Sequence, residues 1–265
     1  MPRAGLLGDP EPYTCFGTFG GLSFWPGGLT LLAAAPGVGK TSWLLRMVHE
    51  AAGANTPAAL GCYEHTAEEL KYRLRRQAEA TVAGPHGSAA PQAVETCLAR
   101  GGQAVLLPLS DQEDTARAVE ERLLLDYGFP EQGTALLALD YLQRVPVVGL
   151  AGMVPEERRG GEAAAALHSL ARRRGWALIA ACALRAQGYD SQGELGDLLG
   201  DERVAYEADR VLLLRRVGRP LDCGCVTISV TTLKDRTGPQ RSFNIHFWGE
   251  RFYPCLEEEG HGRSH

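Results

Sequence analysis

"LTLLAAAPGVGKTSWLLRMV", residues 29–48, decides the fold. An apolar run from Leu29 to Ala34 collapses into a turn with two glycines, and Lys40-Thr41 opens a second apolar run with helical spacing. A strand, a Gly-containing turn and a helix beginning at Lys-Thr form a phosphate loop. In such a loop, backbone N–H groups of the turn and the helix N-terminus surround phosphate oxygens. Gly37 and Gly39 let the backbone approach closely, and Pro36, Val38 and Ser42 complete the predicted nucleotide-binding segment. Lys40 reaches the β- and γ-phosphates of ATP, and Thr41 offers its hydroxyl to Mg²⁺. The usual pattern starts with a glycine where this chain has Ala34, so the match is incomplete.

Working outward, short apolar runs at 29–34, 58–63, 103–107, 134–139, 176–182 and 210–215 read as strands buried on both faces. Helical patterns at 40–53, 66–81, 111–126 and 161–174 fill most of the gaps. That alternation predicts βαβ units, hence an α/β fold with a mostly parallel sheet covered by helices. "CVTISVTTLK" and "RSFNIHFW" alternate instead, predicting antiparallel strands at one edge. Gly84 to Gly102, rich in Gly, Ala and Pro, reads as a loop or insertion, and the tail "EEEGHGRSH" as frayed.

The 265 residues are 45% hydrophobic, enough for one large domain. We expect an extension at 1–27, a core at 28–255 and a tail at 256–265. No run approaches the ~18 apolar residues of a membrane span, and "MPRAGLLGDPEP" lacks the apolar core of a signal peptide. A cytoplasmic protein without membrane contact is expected. Seven cysteines, an odd number, do not make a disulfide framework, and the C-x-C of Cys223 and Cys225 reads as a turn between strands. A net charge of −5 gives no global attraction to nucleic acid, so any such binding is local.

Three further segments carry chemistry. "TALLALDYLQ" is an apolar strand ending in Asp140, where a buried carboxylate needs a cation. Beside a phosphate loop, Asp140 would hold Mg²⁺ through water. In "AALGCYEHTAEEL", Thr66 and Glu69 have the spacing of a helix capping box, which gives Glu69 a structural task. Glu64 sits at the strand's carboxyl end, where ligands bind in such sheets, and is the candidate to orient or deprotonate an attacking water. In "TLKDRTG", Lys234 and Arg236 project to one side of a strand; a phosphate between them would relieve their repulsion, although solvation would also account for them.

In this order, the motifs resemble the C-terminal ATPase domain of DnaB-type replicative helicases, within the wider RecA-like group. The resemblance spans roughly residues 16–254. "GGLTLLAAAPGVGKTSWLLRM" looks like that family's phosphate loop, "YEHTAEELKYRL" its glutamate segment and "LDYLQ" its magnesium strand, with Gln143 at a family glutamine. "DLLGDERVAYEADRVLLLRR" is similar to the stretch before a late core strand, and "LKDRTGP" to the Lys-x-Arg-x-Gly segment that reaches a neighbouring subunit's nucleotide. The resemblance implies ATP hydrolysis, single-stranded DNA as partner and a ring, most simply a hexamer. Lys40, Glu64, Lys234 and Arg236 are then catalytic, and Thr41 and Asp140 hold the metal.

Two positions depart from the family. A γ-phosphate-sensing glutamine is replaced at about Ala183, after Cys182, and an arginine is replaced by Leu199. The family's helical N-terminal domain is also expected to be missing, since about 27 residues precede the core. The resemblance places DNA contacts in loops at 144–161 and 184–203, with Arg158, Arg159, Arg185 and Arg203 as candidates. Arg172, Arg173 and Arg174 end a helix, where cations favour the dipole without DNA. Two other readings compete: a RecA-like regulator or loader that hydrolyses ATP without unwinding, and a small-molecule P-loop kinase. A kinase explains Glu64 and the Lys234/Arg236 pair poorly.

Overall fold

The computed structural model describes residues 13–14, 23–102, 104–147, 156–189 and 193–256. Residues 257–265 of the tail expected at 256–265, and most of the expected N-terminal extension, lie outside them. In chain order the strands and helices are β1 (Tyr13–Thr14), β2 (Ser23–Phe24), β3 (Leu29–Ala34), α1 (Lys40–Gly53), β4 (Ala58–Cys62), α2 (Ala67–Ala83), α3 (Pro91–Arg100), β5 (Val105–Pro108) and α4 (Ala116–Tyr127). Then follow β6 (Leu136–Asp140), α5 (Glu156–Arg174), β7 (Ala177–Ala183), α6 (Glu202–Glu207), β8 (Arg210–Val217), β9 (Val226–Asp235), β10 (Ser242–Trp248) and β11 (Tyr253–Leu256).

Nine strands form one sheet in the order β11-β10-β9-β8-β3-β7-β6-β4-β5. From β5 to β8 all neighbours are parallel, and β9, β10 and β11 extend that sheet antiparallel at one edge. The six expected core strands and the alternating edge are thus present. The central strands β3, β4 and β6 are buried on both faces, since their alternating side chains meet helices on either side. Leu32 and Ala34 of β3 join a cluster with Trp43, Leu44 and Met47 of α1, while Leu31 and Ala33 face Leu167 and Leu170 of α5.

The segment expected to be a loop at 84–102 contains α3. Pro91 stands at its first turn, where a missing N–H costs nothing, and Val94 is buried against the body. Helix α4 starts at Ala116 rather than 111, because Thr115 accepts a hydrogen bond from the Ala118 N–H and fixes the start there. The capping box of α2 is formed in both directions: Thr66 Oγ1 accepts from Glu69 N–H at 3.2 Å, and Glu69 Oε2 from Thr66 N–H at 2.9 Å.

Candidate nucleotide site

Strands β3, β4, β6, β7 and β8 all end on one side of the sheet, and the segment from β3 to α1 crosses there. Gly37 (φ 75°) and Gly39 (φ 104°) occupy the left-handed region that side chains disfavour. A Cβ on Gly39 would also come within 3.0 Å of the Phe247 ring. Thus the turn needs both glycines for its backbone path. Val38 points its side chain into the core, leaving only its backbone for a phosphate.

Lys40 Nζ donates to Ala34 O at 3.0 Å and Ala35 O at 3.3 Å. Burial lowers its pKa, with Asp140, Cys182 and Glu64 acting in the opposite sense. Thr41 Oγ1 donates to Asp140 Oδ2 at 2.5 Å, and Asp140 is 1% exposed at the end of β6. The Cys62 thiol lies 3.8 Å from the same oxygen and is pushed up to about 12 by burial, so it stays protonated. Glu64 is exposed two residues beyond the end of β4, slightly past the strand terminus expected for it. Glu64, His65 and Asp140 each bring a donor atom within 4.8 Å of the others.

These groups line one cavity of about 490 Å³, within the range of small-molecule sites. Of the residues expected at the nucleotide, Pro36, Gly37, Gly39, Lys40, Thr41, Ser42, Glu64 and Asp140 line it. Sequence reasoning missed His65, Arg73, Arg216, Phe247 and Phe252, which line it as well. Arg216, at the end of β8, donates to Gly37 O. The rule that singled out Glu64 and Asp140, chemistry at the carboxyl ends of parallel strands, applies equally to "LLLRR" and would have found it. Arg73 lies 5.0 Å over the Phe252 ring, a pairing between α2 and the β10–β11 connection that no local sequence signal announces.

The two positions that depart from the expected motif meet each other. Leu199 N–H donates to Ala183 O at 2.9 Å. Gln143 closes the seam, accepting from Ala183 N–H at 3.1 Å and donating to Leu199 O at 2.8 Å. Ala183 still lines the cavity, offering only a methyl group there.

Lys234 and Arg236 lie elsewhere. In the sheet register, Thr30 of β3 neighbours Arg210, which neighbours Asp235, while Ala34 neighbours Leu214. The cations therefore flank the start of β3, about 13 Å along the strand from its end at ~3.3 Å per residue. Both converge on one carbonyl: Tyr206 O accepts from Lys234 Nζ at 3.0 Å and from Arg236 Nη2 at 2.7 Å. Ala205 O adds a 2.7 Å bond to Lys234, and Asp209 pairs with Arg236 at 3.4 Å.

The four arginines considered for DNA differ from one another. Arg158 and Arg159 are exposed, but they stand on α5 rather than in a loop. Arg185 is tied to the Leu198 and Gly200 carbonyls, and Arg203 pairs with Glu162. Residues 148–155 and 190–192, within the two expected contact loops, lie outside the described residues. Arg173 and Arg174 both bind Glu120, at 2.7 and 2.6 Å.

A phosphate loop after β3, a carboxylate-ended β6 beside it and this strand order define a P-loop NTPase core of the RecA-like kind. The chain belongs to the family of DnaB-like helicase C-terminal domains, whose model matches residues 18–253, and is thus an NTP-hydrolysing enzyme of the helicase type. Among solved structures it is similar to one described as an ATPase domain, at 17% identity over 88% of this chain and 86% of that one, with a TM-score of 0.72. A second, "The Structure Of A DnaB-Like Replicative Helicase And Its Interactions With Primase", also gives 17% identity and TM-score 0.72. There the match spans 88% of this chain and 59% of the other's length. No curated protein matches by sequence. Among the described residues, no helix is long and apolar enough to cross a membrane.

Proposed function

We propose that this chain is an ATP-driven motor acting on single-stranded DNA in the cytoplasm, working as a closed ring, most simply a hexamer. The observation that carries the reading is the split of the candidate machinery between the two ends of the sheet. One end gathers Lys40, Thr41, Asp140 and Glu64 in a cavity, while the other displays Lys234 and Arg236 beyond reach of it. A ring brings the second end of one subunit to the first end of the next.

In this reading Lys40 leaves the Ala34 and Ala35 carbonyls for the β- and γ-phosphates of ATP. The N–H groups at residues 36–42 bind the same phosphates as a helix N-terminus does. Thr41 and Asp140 suit Mg²⁺, a hard cation that favours oxygen donors and keeps several waters; the buried carboxylate and hydroxyl are already in contact. Bound there, the ion would neutralise phosphate charge. Glu64, exposed and therefore within reach of solvent, orients the attacking water and takes its proton. Lys234 and Arg236 of the neighbouring subunit neutralise charge that develops on the transferred phosphoryl group, a role worth ~10³–10⁵ in rate for an arginine acting in trans.

The junction of Ala183 and Leu199 favours a second reading, a ring ATPase that loads or regulates without unwinding. With a methyl group facing the cavity and Gln143 occupied by backbone groups, β7 has no polar side chain at its end to sense the γ-phosphate. Measuring ATP turnover and strand separation with and without single-stranded DNA tests both. A motor shows DNA-stimulated turnover and unwinding, with Arg158→Ala/Arg159→Ala flattening the salt dependence of DNA binding. Turnover indifferent to DNA would overturn it, and stimulation without strand separation would favour the loader.

A further inference from the structure

The nucleotide reading leaves the C-x-C motif unused. Residues 218–225 connect β8 to β9 at the same end of the sheet as the phosphate loop, and the turn folds back on itself. Leu221 N–H donates to Cys225 O at 2.9 Å, and Gly224 N–H to Leu221 O at 2.8 Å. Gly224 takes a positive φ of 80°, and its flanking residues bring their sulfur atoms to 3.0 Å from each other. The two thiols have opposite surroundings. Cys223 is exposed, whereas Cys225 is buried with Trp248, Tyr253 and Cys255 under the antiparallel edge.

We propose that Cys223 and Cys225 form a reversible dithiol–disulfide site that reacts with low-molecular-weight disulfides of the glutathione type. The geometry assigns the order of events. The Cys223 thiolate attacks one sulfur of the small disulfide; that S–S bond breaks, and one small thiol leaves with a proton. Cys225 then gives up its proton and attacks the Cys223 sulfur of the mixed disulfide, releasing the second small thiol. Two protein thiols lose two electrons, and the small disulfide gains them.

The hydrogen bond from Cys225 lowers the Cys223 pKa, favouring the attacking thiolate. The other cysteines among the described residues differ. Cys62, Cys182 and Cys255 are buried, and Cys97 is half-buried with its thiol raised by burial. Exposure and ionisation thus both single out Cys223, and its partner is already in contact. Thiol–disulfide exchange at this turn is independent of nucleotide chemistry and of motor activity.

The test incubates the full chain with oxidised glutathione and maps thiols by peptide mass spectrometry, then adds dithiothreitol. The expected product is an internal 223–225 disulfide with no retained glutathione, formed ahead of any change at Cys97 and fully reversed by the reductant. Cys225→Ala, a small apolar replacement suited to the buried position, should stop at glutathione held on Cys223. Cys223→Ser, at an exposed position, should leave Cys225 unmodified. Glutathione retained on Cys223 of the unaltered chain, a disulfide between two chains, or equal reaction at Cys97 would each overturn the proposal.

Discussion

The two ends of the parallel sheet contain cavities of nearly equal size and differ in what those cavities leave available. At the carboxyl end, about 490 Å³ is bordered by Lys40, Glu64 and Asp140. At the amino end, about 480 Å³ is bordered by Trp25, Gly28, Asp209 and Arg210. In the second, the charged groups are committed to the fold. Asp209 accepts from the Leu29 N–H at 2.9 Å, and Arg210 pairs with Asp235 at 2.8 Å between two strands. Hydrogen bonds from Thr237 and Arg210 outweigh burial and hold the Asp235 carboxyl below its ordinary value. In the first, a cation rests on carbonyl oxygens that a phosphate can replace. Volume therefore does not distinguish a site from a crevice here, whereas exchangeable partners do.

Three substitutions at the carboxyl end should have progressively smaller effects. Lys40→Ala should remove nearly all ATP turnover, since it deletes the cation that the phosphate loop itself carries; steady-state phosphate release measures it. Glu64→Gln should retain ATP binding while kcat falls by roughly 10²–10⁴, the usual worth of a general base. Equilibrium nucleotide binding beside single-turnover hydrolysis separates the two effects. Arg216→Ala should act more weakly, raising KM for ATP by roughly fivefold through a loosened loop, as the net worth of about one hydrogen bond implies. An unchanged KM would show that the bond to Gly37 O is dispensable.

A fourth substitution sharpens the contrast by leaving the site alone. Thr66→Ala removes the cap of α2 and should cost about 0.5–2 kcal/mol in denaturant unfolding with kcat unchanged. Glu64 and Thr66 are two residues apart, so opposite outcomes there would show how sharply chemistry and stability divide along this loop.

Much of the fold was legible because its signals are local and periodic. Six short apolar runs alternating with helical patterns read as parallel strands, and the expected limits fall within about two residues of the observed ones. Thr66 and Glu69 are three residues apart, so their mutual cap could be read directly. Helix α3 was obscured by the Gly, Ala and Pro around it, although Pro91 at a helix start and Val94 facing inward were visible signals. The site was less legible. Asp140 ends β6 and Glu64 lies two residues past β4, where a general rule applies, while Lys40 and Thr41 open α1 within a recognisable local motif. His65 borders the cavity next to a residue chosen by that rule, yet the rule says nothing of neighbours. Phe247 and Phe252 arrive from the antiparallel edge, about two hundred residues later in the chain, through packing that only the three-dimensional structure supplies.

In the proposed ring the two ends of the sheet complete each other between subunits, with Arg236 serving the phosphate loop of a neighbour. The measurement that addresses this arrangement most directly is ATPase activity in mixtures of Arg236→Ala and Lys40→Ala chains. Each variant should be inactive by itself, one for want of the arginine and the other for want of the loop lysine. In a mixed ring, some interfaces join an intact Lys40 to an intact Arg236, so activity should reappear and peak near equal proportions. No recovery at any ratio, or full turnover by a strictly monomeric chain, would contradict the account.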